Sequence, residues 1–484
     1  MGRMVKSSYD MSRLFLHRYV KYLVLACMVL VLFHPTLDGQ ALTLHEWIKL
    51  VKNNHPLITV AELQEDKAKA NFLKARGNFD PVAGFDWNQK TYGNSHYYSL
   101  ANGEFNIPTT FGMKFTSGYE INRGLFANPE NISPGNGLLF AGVSIPLGQG
   151  LWIDESRAIL RQSEIGIEIG KLAKSEEFNN IMYRSVLIYL DWFQAYYTKE
   201  VVSSAFNNAE ERKNAIRSQA LQGDRPGLDT IEANIQWQLI FLSLQQAELE
   251  LKNVETILNT FVWENGENKS IFPLYAPNNP DKTILEIPES EMVMDVETFQ
   301  NNNPFLEPYR LKGRQLEIER KFKRDKLKPV LNINYNPIFE PVSDAPFSNL
   351  TLENNKLGLS FKMPLFLRKE RGEVKLTNFK ISELEATWKE KISTMYGKYN
   401  LYYNEWNNTK EQVVVFNQMV NGYRRMYEAE KRLFEIGESS LFLVNTREQT
   451  YLQNMIKRLE LISKNMKAYY GYHYISGRLP LMFE

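Results

Sequence analysis

The residues that elsewhere do enzyme chemistry are present in this chain, and their spacing argues against catalysis. There are six histidines. His17 and His34 fall in the N-terminal segment that ends near Gly39. His45, His55, His96 and His473 are scattered, with no metal-ligand spacing and no helical zinc-protease pair. Gly148-Gln149-Gly150 follows an alternating stretch, but a dinucleotide fingerprint needs a third glycine and a parallel-sheet setting. Carboxylates are plentiful on the helical stretches. Glu248 with Lys252 and Glu428 with Arg432 are spaced i, i+4, and each pair reads as a solvated helix face worth about a few tenths of a kcal/mol. No catalytic residue, cofactor or metal site is expected. Cys27 is the single cysteine, so no disulfide framework exists. The 57 Lys+Arg and 56 Asp+Glu residues nearly cancel, without the basic excess of a nucleic-acid binder.

The residues that stand out instead are two glycines. Gln222-Gly223-Asp224-Arg225-Pro226-Gly227-Leu228 and Ile436-Gly437-Glu438-Ser439-Ser440-Leu441-Phe442 each follow a long helical run. Glycine ends such a run because it alone takes a left-handed conformation cheaply. Gly223 and Gly437 are separated by the same stretch of chain as Trp192 and Trp406, and as Tyr189 and Tyr403. Three pairs on one offset indicate an internal repeat. The chain is therefore organised around two helical hairpins, Ile153 to about Trp263 and Arg368 to about Ile475.

The N-terminus has the layout of a secretory signal. Arg13, Arg18 and Lys21 precede an apolar run from Tyr22 to Phe33, and Pro35 and Gly39 follow. The run is too short to span a membrane, which takes about 20 apolar residues. Val24-Leu25-Ala26-Cys27 resembles a lipoprotein box, but the apolar run continues past Cys27, which favours cleavage near Gly39. Residues 1–39 carry five basic and two acidic groups, so their removal takes the net charge from +1 to −2.

Between the helices the apolar period changes from helical to two. Ala83, Phe85 and Trp87 alternate with Asp86, Asn88 and Lys90. Residues 111–121, 139–145, 331–335 and 357–363 alternate likewise, and Pro146 and Pro364 close two of these strands. His55-Pro56-Leu57 is echoed by Asn303-Pro304-Phe305, and Pro81-Val82 by Pro329-Val330, both on a second common offset. Each repeat thus reads short helix, strands, long helix, glycine tip, short helix. The expected division starts with a signal peptide at 1–39 and a helix at 40–80. Strands and loops of the first repeat occupy 81–147, and its hairpin 148–263, with a tip at 223–227. An irregular equatorial segment covers 264–303. The second repeat has a helix at 304–328, strands at 329–367 and a hairpin at 368–475 with its tip at 437–440. A tail, 476–484, ends the chain. A helix of about 70 residues is ~105 Å long, which no globular core accommodates.

About four alternating strands cannot hold an apolar face in water. Outer-membrane lipid is the natural partner for that face, and only closed barrels serve there. Four strands are too few to close, so several chains must share one barrel, and three copies give twelve strands. Trp87, Tyr92, Tyr119 and Tyr335 suit an interfacial aromatic girdle, although strands favour aromatics anyway. A periplasmic coiled-coil scaffold explains the helices but not the strands, whose edges would invite aggregation.

Residues 42 to about 475 resemble the outer-membrane efflux protein family, the TolC-like exit ducts. The resemblance rests on Asn54-His55-Pro56-Leu57 and Asn303-Pro304-Phe305. It rests also on Val143-Ser144-Ile145-Pro146-Leu147, on Leu359-Ser360-Phe361-Lys362-Met363-Pro364-Leu365, and on the two glycine tips. It implies a mainly α fold with membrane β structure: a homotrimer whose twelve-stranded β-barrel continues into a periplasmic α-helical barrel. It implies a passive duct of a tripartite efflux or type I secretion system. The implied partners are a periplasmic adaptor, an inner-membrane RND- or ABC-type transporter and outer-membrane lipid, with no nucleic acid and no cofactor. Gly223, Asp224, Arg225, Ile436, Gly437, Glu438 and Ser439 would dock the adaptor. Where some members narrow the tunnel with aspartates, this chain has Leu443 and Thr446, so Leu441, Phe442 and Leu443 are candidates for an apolar gate, or for packing between helices. The interval from Pro81 to Pro146 is much longer than that from Pro329 to Pro364. The extra strands at 97–105 and 110–121 form an additional hairpin, read either as an extracellular extension, the favoured alternative, or as extra barrel strands.

Overall fold

The structure is a computed structural model and describes residues 40–270, 275–278, 293–341 and 353–483. The expected signal segment, with Cys27, lies outside the described residues. In chain order, β1 (Gln40–Leu42) leads to α1 (Leu44–Asn54) and α2 (Pro56–Arg76). Strands β2 (Val82–Tyr92), β3 (Ser95–Pro108), β4 (Lys114–Arg123) and β5 (Leu138–Pro146) follow. Next come α3 (Glu155–Gln222) and α4 (Gly227–Asn259). After the short strands β6 (Trp263–Glu264), β7 (Glu267–Asn268) and β8 (Tyr275–Pro277) come α5 (Val296–Asn302) and α6 (Glu307–Asp325). Strands β9 (Val330–Phe339) and β10 (Asn355–Lys362), then α7 (Arg368–Glu435) and α8 (Leu441–Ile475), complete the fold. Both long helices, α3 and α7, have 68 residues. Helix α4 stops at Asn259, short of the expected Trp263, which starts a two-strand β6–β7 turn instead.

The chain divides into two units. Of the described residues, the first holds 40–55, 185–270, 275–278 and 408–467, and so contains both helix tips. Helix α1 opens on a capping box. The Thr43 N–H and hydroxyl donate to Glu46 Oε2 at 2.9 and 2.8 Å, which holds the Glu46 carboxyl below its usual range, and the Glu46 N–H donates to Thr43 Oγ1 at 3.2 Å. Trp47 is buried and donates its Nε1–H to the Ser185 carbonyl at 3.0 Å. Strand β1 pairs in parallel with β8, inside the stretch expected to be irregular. Tyr189 Oη ties the two together, donating to the Leu42 carbonyl at 2.7 Å and accepting from the Asn278 N–H at 3.2 Å. His55 packs on Phe261, with ring centroids 5.0 Å apart.

The second unit holds 56–184, 293–341, 353–407 and 468–483. Its helical core is aromatic, built from Phe299, Tyr399, Trp406, Tyr472 and Ile475. Asn303 explains its own motif: its Oδ1 accepts from the Phe305 N–H at 3.0 Å and its Nδ2 donates to the Ile475 carbonyl at 2.8 Å. The internal repeat is visible in each unit by itself. Trp192 and Trp406 are both 0% exposed. Tyr189 meets Trp192 edge-on at 5.7 Å, and Tyr403 meets Trp406 edge-on at 6.4 Å.

The same unit carries one six-stranded antiparallel sheet, ordered β10-β9-β5-β4-β3-β2. The segment expected to add either an extracellular hairpin or further barrel strands lies within this sheet. Strands β3 and β4 are full members of the sheet, inserted between β2 and β5, and pair along their length. Their alternation continues that of their neighbours, so they share the same two faces. Three copies of this sheet hold eighteen strands, and the count of twelve does not follow from it.

Candidate functional site

Two places carry the chemistry of this chain: the paired tips and the faces of the sheet. At the tips both glycines have positive φ, +83° for Gly223 and +84° for Gly437. The bonding is the same at each. The Gly223 N–H donates to Ala220 O at 3.2 Å and the Asp224 N–H to Gln219 O at 2.9 Å. The Gly437 N–H donates to Phe434 O at 3.2 Å and the Glu438 N–H to Leu433 O at 2.8 Å. These paired bonds satisfy the last carbonyls of each helix. A Cβ would meet nothing within 4 Å at either glycine, so conformation alone fixes the residue type. Ser440 Oγ accepts from the Leu443 N–H at 3.3 Å and starts α8.

Under the tips lies a small core of Ile216, Ala233, Phe434, Leu441 and Val444. Leu441, an expected gate residue, packs into this core at 2% exposed. Phe442 remains 64% exposed, and Leu443 and Thr446 are exposed beside it. Among the expected docking residues, Asp224, Ile436 and Glu438 are open to solvent. Arg225 is not. Its guanidinium sits 4.0 Å from the Phe434 ring centroid, donates to the Phe434 carbonyl at 3.3 Å, and lies 3.8 Å from Asp229. It joins one tip to the end of the other long helix. Ser439 Oγ is likewise engaged, on Glu430 Oε1.

No motif or spacing marks the next layer. Arg212 on α3 grips Glu448 on α8 through both guanidinium nitrogens, and Tyr427 Oη on α7 donates to Glu448 Oε1 at 2.9 Å. The Glu448 side chain is 2% exposed. Burial opposes the Arg212 charge, but the carboxylate beside it outweighs that and raises its pKa. Burial, and then the Glu448 charge, push the Tyr427 hydroxyl up to about 12. These three residues are distant in sequence, so only the fold brings them together. Beside them opens a cleft of about 320 Å³ lined by Arg225, Lys431, Phe434 and Glu435 among others.

The sheet has one apolar and one polar face. The row Phe85–Gly103–Tyr119–Leu139 and the row Ile107–Phe115–Val143–Tyr335–Leu357 lie on the apolar side. The other side is mainly polar: Asp86, Asn102, Glu120, Asn332, Asn334, Asn336 and Lys356 stand there, with Leu138, Phe140 and Ile338 among them. Lys356 and Glu120 form an ion pair there. Phe85, Trp87, Leu357, Leu359 and Phe361 are largely exposed in the single chain. Trp87, Tyr119 and Tyr335 each stand five positions from the base of their strands at Val82, Lys114 and Val330, which is mid-height. Only Tyr92 closes a strand. Alternation reveals which face a residue occupies but not its height, which depends on where pairing begins.

Among the described residues no group of three or more His, Cys, Asp or Glu is placed to hold a metal, and no helix is long and apolar enough to cross a membrane. No protein-family model and no curated protein matches the sequence. Solved structures do. The chain is similar to the CmeC outer membrane channel of Campylobacter jejuni, at 14% identity and a TM-score of 0.66 over 90% of this chain and 86% of that one. It is similar to the open state of the Neisseria gonorrhoeae MtrE outer membrane channel, at 10% identity and a TM-score of 0.67 over 90% and 89%. It is also similar to the outer membrane protein VceC of Vibrio cholerae, at 12% identity and 0.63 over 90% and 96%. The two tip hairpins, the aromatic cores and the two-faced sheet are therefore this sequence's version of the outer-membrane channel fold.

Proposed function

We propose that this chain is the outer-membrane exit duct of a tripartite efflux or type I secretion machine. It acts as a homotrimer and passively conducts substrate delivered by an inner-membrane RND- or ABC-type transporter. A periplasmic adaptor docks on the helix tips. The observation that carries the reading is the sheet with one apolar and one polar face. An apolar face of six strands has no partner in water, whereas lipid on one side and an aqueous lumen on the other satisfy both faces. A periplasmic scaffold leaves that face in water and is set aside. A second feature supports self-association. Leu228, Ile235, Leu242 and Leu249 recur at heptad spacing along α4 and are all exposed in the single chain. That repeat is the seam of helices packing on a further copy.

The duct itself does no bond chemistry. Energy comes from the transporter, and the adaptor favours an open tip only by binding it more tightly than the closed one. The test combines two measurements on detergent-purified protein. A heat-labile, detergent-resistant trimer with small, mostly closed conductance in a planar bilayer is expected. A soluble monomer without conductance overturns the reading.

A further inference from the structure

The β3–β4 hairpin is built into the sheet as wall, and the register shows how. The row that begins at Val82, the base of β2, passes Asn106, Thr116 and Gly142, then Asn336 and Lys356 in the same register. The bases of the next two strands, Pro108 on β3 and Lys114 on β4, lie two positions below that row. Pro146 on β5 lies four below it, and Val330 on β9 and Lys362 on β10 lie six below it. The stagger rises across the whole sheet and continues through β3 and β4. Six positions along a strand are about 20 Å, and five strand spacings about 24 Å, which is a tilt of about 40°. Strands in closed barrels tilt by about 35–45°. A hairpin folded away from the wall has no reason to keep this stagger.

Among the described residues the sheet ends in two edges with no neighbouring strand, β2 and β10, and lipid tolerates no open edge. A second copy fits both. Strand β2 runs away from its helix and β10 runs back, so β10 of one copy meets β2 of the next antiparallel. With bases level, Val82 faces Lys362, Leu359 faces Phe85, and Leu357 faces Trp87, matching large apolar groups on the lipid side. A shift by two positions one way sets Lys356 against Lys90, and like charges directly opposite are unfavourable; a shift the other way sets Lys356 against Asp86 but lowers the stagger to four positions per copy, a tilt of about 25°, below that of closed barrels.

We infer that each copy supplies all six strands to the wall, so that the trimer closes an eighteen-stranded barrel with Phe85 of one copy opposite Leu359 of the next. The inference rests on the duct reading above. The level seam adds a sixth spacing without further stagger, so the closed wall tilts by about 35° and the barrel is about 34 Å across its backbone, against about 22 Å for twelve strands at the same tilt. A twelve-stranded wall requires β2 to pair directly with β5, which expels β3 and β4.

Oxidative cross-linking in native membranes tests this, in a Cys27→Ala background. The pair Phe85→Cys with Leu359→Cys is expected to give covalent dimers and trimers that reductant reverses. The pair Ala83→Cys with Phe105→Cys is expected to link within one chain, read by mass spectrometry of the joined peptides. The pair Phe85→Cys with Val143→Cys is expected to leave at least nine-tenths of the protein unlinked. Each variant is first checked for a detergent-resistant trimer. A Phe85–Val143 link without an Ala83–Phe105 link, in an intact trimer, overturns the eighteen-stranded wall and leaves the duct reading standing. Trp87→Cys linking to Leu359→Cys in place of Phe85→Cys overturns the stated register. An Ala83–Phe105 link with no membrane oligomer brings down the duct reading and the barrel together.

Discussion

Glu448 is the residue on which the tip depends most. Its carboxylate is buried and held by Arg212 and Tyr427, so its loss leaves a guanidinium charge buried with no partner. Removing one member of such a pair costs about 3–5 kcal/mol, whereas replacing both with apolar groups of similar volume is often close to neutral. Glu448→Gln is therefore expected to speed hydrogen exchange and proteolysis around both tips. Arg212→Met combined with Glu448→Leu is expected to restore much of the protection; if the double variant is as labile as the single, the buried charge is not the cause. Tyr427 adds a pH dependence. Its folded pKa, about 12, stands above the ordinary tyrosine value of 10.0, so the folded state holds the proton more tightly than the unfolded one. Its contribution to stability is complete below about pH 10 and is lost as pH rises towards about 12. Tyrosinate absorbance in an alkaline titration is expected to show a late-titrating group that Tyr427→Phe removes.

At the scale of elements, the tips and the α4 stripe bear different loads. Gly437 has φ +84° and open space around it, so a side chain there costs about 1–2 kcal/mol of backbone strain without any clash. Gly437→Trp is expected to fold and insert but to abolish export, since the added ring stands where the adaptor would dock. Retained export in that variant counts against tip docking. Ile235→Glu places a charge on the exposed stripe of α4 and is expected to leave the single chain folded while lowering the temperature at which the trimer dissociates on a gel; an unchanged temperature means α4 does not face a neighbour. Helices were the most legible elements. Gly437, Ser440 and the proline closures mark local events, and α8 runs from Leu441 to Ile475 as its caps indicate. The pairing of β1 with β8 was not legible, because three-residue strands carry no period of their own. The place of the β3–β4 hairpin was not legible for a related reason. Alternation identified its strands, but the partner of a strand is a non-local choice.

On the proposed reading, the whole molecule serves as a duct only if it opens somewhere and stays shut otherwise. Glu448 and Tyr427 stiffen the tip from within, but Arg225 is different, since it is only partly buried and bridges from one tip to the last turn of α7. That places it where a small energy can decide between two arrangements. A cation–π contact at such a site is worth about 0.5–1 kcal/mol, which corresponds to a two- to five-fold change in an equilibrium ratio, roughly, at room temperature. Arg225→Ala is therefore expected to raise the open probability of the purified channel by about that factor. Its single-channel conductance when open should stay the same, because nothing in the barrel wall has changed. Adaptor binding should then add less opening to the variant than to the parent, since part of the difference between the two states is already gone. If open probability does not move, the Arg225 bridge is made equally in both arrangements, and the barrier to opening lies with exposed Phe442 and Leu443 at the start of α8.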